Sequence, residues 1–75
     1  MTHPFLTSTI AARNKLAARA ETHAFAVYAD CHRAVMGAVV DTKAARDRVT
    51  LLLAALDALD EADRKIDALA EEAAE

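Results

Sequence analysis

The sequence predicts an all-α fold: a two-helix antiparallel hairpin with helices over about 5–37 and 42–72. Three observations carry that reading. An alanine-rich helical grammar runs from Phe5 to Glu75 without an internal proline. A single glycine, Gly37, stands almost at the midpoint. On either side of it the apolar residues recur at spacings of three and four, the period of one helix face.

The lead-in is short, Met1–Pro4, with Pro4 suited to a first helical turn because its missing N–H would have no partner there. Thr2 or His3 serves as the cap, or Thr7 or Ser8 if the helix starts later. In the first helix the stripe reads Leu6, Ile10, Ala17, Ala20, Ala24, Val27, Cys31, Ala34 and Ala38. On an ideal wheel the large apolar side chains spread over about 200°, with Leu16 and Val27 at one edge and Phe25 and Met36 at the other. Lys15, Arg19, His23, Asp30 and Arg33 take the narrow remaining face. One partner helix covers little more than about 100° of apolar width, so this helix requires two neighbours.

The second helix is cleaner. Ala45, Val49, Leu52, Leu56, Leu59, Asp63, Ile66, Ala70 and Ala73 alternate four and three, a heptad pattern broken only by Asp63, a register-setting position suited to an Arg or Lys of a neighbour. Val49, Leu52, Leu56, Leu59 and Ile66 are the expected intrachain seam. Asp57, Asp60, Glu61, Arg64, Lys65, Asp67 and Glu71 hold the opposite face, where Asp60–Arg64 and Glu61–Lys65 have i,i+4 ion-pair spacing. Acidic residues at a helix C-terminus oppose the helix dipole, so residues 73–75 are expected to fray.

Between the helices, residues 38–41 form the hinge. Gly37 suits the left-handed conformation that ends a helix, and Asp41 or Thr42 suits the cap of the next. The rival is one long continuous helix, because Ala38–Val39–Val40 is apolar and the stripe stays nearly in phase through the hinge.

Length and composition bound the rest. Seventy-five residues make a single small domain near the size at which one core is marginal without disulfides, metal or association. One cysteine allows no internal disulfide, and no Cys/His cluster offers a zinc site. Hydrophobic residues are 55% of the chain, but many are alanine, which buries little area. Association is the stabiliser left, so the hairpin is expected to be completed by oligomerisation into a helical bundle. Ile10, Phe25, Val27, Tyr28, Cys31, His32, Val35 and Met36 are the expected partner interface, since aromatics and Met anchor interfaces.

The chemistry of an enzyme is missing from the sequence. Asp30-Cys31-His32 are neighbours on a helix and point about 100° apart, so they cannot converge on one atom. Glu21 and His23 lack the Glu-x-x-His spacing of bundle metal sites. No phosphate loop, nucleophile elbow or HExxH occurs. No catalytic, cofactor or metal residues are assigned. The basic residues Lys15, Arg19 and Arg33 share a face without interleaved aromatics in a chain of pI about 5.5, which reads as solvated surface rather than a nucleic-acid footprint. No stretch reaches the roughly 18 apolar residues of a membrane span, nor does the N-terminus resemble a secretory leader, so the expected location is the cytoplasm or a particle assembled there.

Charge is asymmetric: residues 1–40 carry four basic and two acidic side chains (+2), residues 41–75 five basic and ten acidic (−5). Such halves suit helices packed antiparallel, within or between chains. The function expected is a non-enzymatic assembly or adaptor protein, associating with itself or with a larger complex such as a phage particle. The alternative is a small acidic inhibitor or regulator whose 57–75 face covers a partner's basic surface.

Overall fold

In the computed structural model, which describes residues 4–74, the chain is a helical hairpin: α1 spans Pro4–Val35 and α2 spans Thr42–Ala74. The helices lie side by side in a rod of 57 × 16 × 14 Å. The capping expected of Thr2 or His3 lies outside the described residues, as does Glu75. Pro4 opens α1, and α2 continues through Ala73 and Ala74, two residues past its expected end.

The turn follows from Gly37. Its φ of 90° is the left-handed region that a Cβ disfavours, and it is the only positive-φ residue among those described. The Gly37 N–H donates to the Ala34 carbonyl at 3.1 Å and the Ala38 N–H to the Arg33 carbonyl at 3.0 Å. These two bonds form a Schellman motif and satisfy carbonyls that the end of α1 would otherwise leave open. On the far side, Asp41 Oδ1 accepts from the backbone N–H groups of Lys43 (3.0 Å) and Ala44 (3.2 Å). Asp41 is thus the N-cap of α2. Two stop-and-start signals separated by an extended stretch exclude the continuous helix.

Both helices meet along a heptad seam. In α1 the seam runs through Leu6, Thr9, Arg13, Leu16, Ala20, His23, Val27 and Asp30, all buried or half-buried, with Ala17 and Ala26 half-buried beside it. In α2 it runs through Ala45, Arg48, Leu52, Ala55, Leu59, Ala62, Ile66 and Leu69, with Ala44, Ala58 and Asp63 half-buried beside it. Alternating steps of three and four are the knobs-into-holes period of antiparallel coiled helices. Among the described residues the buried hydrophobic ones are Ala20 and Ala55, and no large side chain is fully enclosed. Small residues at the centre let the backbones approach closely, but they withdraw little apolar area from water.

This seam differs from the stripe read in the sequence. Leu52, Leu59 and Ile66 lie in it, whereas Val49 and Leu56 are 39% and 44% exposed and stand beside it. Positions 48 and 55, one residue earlier, face α1 instead. Asp30 and His23, expected on the solvated face of α1, lie in the seam, and Asp30 is 2% exposed. The cause is that the hairpin closes on alanines and on two cross-helix ion pairs, leaving much of the larger apolar surface outside.

Those ion pairs mark the two ends of the seam. Near the turn, Arg48 Nη1 donates to Asp30 Oδ2 at 2.5 Å, and Arg33 Nη2 donates to the other carboxylate oxygen. Toward the open end, Arg13 Nε donates to Asp63 Oδ1 at 2.8 Å. Asp63 breaks the apolar stripe and is matched by a cation from the facing helix. Asp60–Arg64 (3.0 Å) forms as its spacing predicts, and Lys43–Asp47 (3.3 Å) adds a second i,i+4 pair.

Candidate interaction face

An antiparallel helix pair has two flanks, and here they differ. On one flank lie the residues that directly follow the second seam position of each heptad: Ile10, Ala17, Ala24 and Cys31 from α1, and Val49, Leu56, Asp63 and Ala70 from α2. Tyr28 and Val35 stand further out on the α1 side of this flank and Leu53 on the α2 side. Ile10 is 40% exposed, Tyr28 64%, Leu53 57% and Val35 81%. The flank is apolar along the α1 side from Ile10 to the turn and along the α2 side from the turn to Leu56, beyond which Asp60, Asp63 and Asp67 line α2.

Most of the partner-interface residues expected from sequence lie on or beside this strip. Ile10, Phe25, Tyr28, Cys31, His32, Val35 and Met36 are all exposed. Val27 alone is half-buried, held in the seam. Tyr28 and His32 stack, with ring centroids 5.7 Å apart and planes inclined by 13°. That contact between i and i+4 side chains rigidifies an aromatic platform, and Phe25 and His32 continue it around the outer side of α1. Val49 and Leu56, assigned by sequence to the seam, belong to the strip.

The opposite flank is a shallow furrow floored mostly by alanine and leucine, with Leu51 52% exposed along it. Its larger part, about 450 Å³, is lined by Ser8, Thr9, Ala12, Leu16, Ala58, Glu61, Ala62 and Lys65. A second part of about 200 Å³ continues it past Arg19, His23 and Leu51. Small side chains create the furrow, and its rim is charged. It holds no converging nucleophile, acid or base.

No group of three or more His, Cys, Asp or Glu side chains converges among the described residues. No helix among them is long and apolar enough to cross a membrane. Asp30, the one buried charged residue among those described, is saturated by two guanidinium groups. Its placement is structural. Sequence reasoning missed it because charges were assigned to solvent; the available signal was its place in the run 16, 20, 23, 27, 30, with Arg33 one turn on. Comparison with protein-family models, curated proteins and solved structures finds no match.

Proposed function

We propose that this chain is a non-enzymatic assembly or adaptor protein that acts by docking its apolar strip against another protein surface. The observation that supports this most is the exposure of Ile10, Tyr28, Val35, Leu53 and Leu56 on one flank of a hairpin whose own core is two alanines. Contiguous exposed apolar surface rimmed by polar residues marks interaction sites in small proteins. Tyr28, stacked on His32, has the character of a binding anchor: large, amphipathic and already restrained. The outward face of α2, with Asp57, Arg64 and Glu71, is charged and keeps docking to the flank.

A photo-crosslinking side chain placed at Tyr28, compared with one at Asp57 on the outer face, tests the proposal in the native cell. The Tyr28 position should yield a discrete cross-linked protein species that Leu56→Asp abolishes, and the Asp57 position should not. Equal yields at both positions, or none at either, would reject docking through the strip. Cross-linking that appears only from Asp57 and disappears with added salt would favour the acidic-regulator alternative, since exposed charge contacts are screened within a Debye length of about 8 Å at physiological ionic strength.

A further inference from the structure

We infer that the occupant of the strip is a second copy of this chain, packed with both turns at the same end and with α1 of each copy against α2 of the other. This rests on the docking function proposed above and names its partner. Surface area gives the first argument. The hairpin exposes 5827 Å², whereas a compact monomer of 8.0 kDa exposes about 4,450 Å². The excess of about 1,400 Å² per chain falls within the per-partner area of obligate dimers, roughly 1,000–2,500 Å².

The second argument is angular. In α1 the strip residues Ile10, Ala17, Ala24 and Cys31 lie about 50° around the helix from Ala20 and Val27. In α2, Val49 and Leu56 lie a similar angle from Leu52 and Leu59. In both helices most of the exposed apolar sector turns away from the intrachain seam toward the same flank, Phe5 and Leu51 lying on the other. Helices that face one neighbour centre their apolar sector on it; helices of a four-helix bundle centre it on the diagonal between two neighbours. The chain follows the second geometry.

Charge and the distribution of apolar groups choose the arrangement. With the turns at opposite ends, each α2 would lie against its own copy, placing the −5 half of one chain on the −5 half of the other. Tyr28 and Leu53, near the turn, would then fall on the open end of the partner, where Asp60, Asp63 and Asp67 line the α2 side. With the turns together, each +2 half is flanked by two −5 halves, the apolar residues near the turn meet their counterparts, and Asp60, Asp63 and Asp67 face the +2 half of the partner. The twofold axis therefore runs parallel to the helices, and the contact is isologous and closed.

Two measurements on the full chain test this. Light scattering over a concentration series should give twice the 8.0 kDa protomer mass, and Leu56→Asp should lower it toward one protomer. Spin labels at Val39, a fully exposed tip residue, introduced as Val39→Cys in a Cys31→Ser background, should lie within about 30 Å of each other, roughly two hairpin widths. A dimer whose labels are separated by about the 57 Å rod length overturns the same-end arrangement. A single-protomer mass at every concentration, with helical circular dichroism retained, overturns the second copy. In that case cross-linking from Tyr28 to a different protein leaves the docking function standing, and its absence removes both.

Discussion

Replacing Asp30 by Asn tests the seam at its most demanding point. The carboxylate is enclosed, at 3% side-chain exposure, between Arg48 of α2 and Arg33 of its own helix. Asparagine keeps the volume but removes the charge, and turns an amide N–H₂ toward a group that can only donate. A hydrogen bond to a charged group contributes about 1.5–3 kcal/mol when buried. Here the two arginine side chains are 40% and 58% exposed, so both regain water when the carboxylate is lost, and the cost falls toward the lower end. The expected loss is about 2 kcal/mol, or roughly 10 °C in Tm for a chain of this length. Thermal unfolding followed by circular dichroism at fixed protein concentration measures it. The cycle with Arg48→Ala should show a coupling of about 1 kcal/mol. An Asp30→Asn variant within about 0.5 kcal/mol of the parent, or costs that simply add with Arg48→Ala, would refute the claim that this carboxylate joins the helices.

Three further substitutions probe the remaining links. Gly37→Ala meets open space but forces a Cβ into φ 90°, and should cost about 1 kcal/mol by urea titration; no change would mean that the turn relaxes out of the left-handed region. Asp41→Ala removes the acceptor for two backbone N–H groups of α2 and should cost about 1 kcal/mol in the same assay. Ala55→Leu inserts bulk where the helices meet at a residue 6% exposed, and should destabilise by about 1–3 kcal/mol; a gain in stability would show that the seam has room to fill.

The parts of the fold legible in the sequence were those decided locally. The Gly37 turn and the Asp41 cap terminate and start helices through bonds spanning two to five positions, and such signals survive without knowledge of the tertiary contact. The seam register was a different matter. Reading the largest apolar residues as the contact placed Val49 and Leu56 between the helices, whereas the hairpin closes on Ala20 and Ala55. A wheel blurs two adjacent contacts into one arc of about 200°, and hydrophobicity alone does not say which part faces the nearer neighbour. Alanine pairs and the Arg13–Asp63 and Asp30–Arg48 bridges answer that, and both are quiet in a hydropathy reading. The exposed strip was legible in outline, because Ile10, Phe25, Tyr28, Cys31 and Val35 exceed what one facing helix covers.

Alkylation of Cys31 measures coverage of the strip most directly. The thiol is exposed in the hairpin and sits on the flank between Tyr28 and Val35. If another protein surface covers that flank, and this chain supplies it, the alkylation rate should fall at least tenfold as protein concentration rises through the association range. A thiol at the tip, from Val39→Cys with Cys31→Ser, should react at a constant rate throughout. Equal, concentration-independent rates at both positions would mean that the strip stays open to water in the pure protein, contradicting its burial by a second copy.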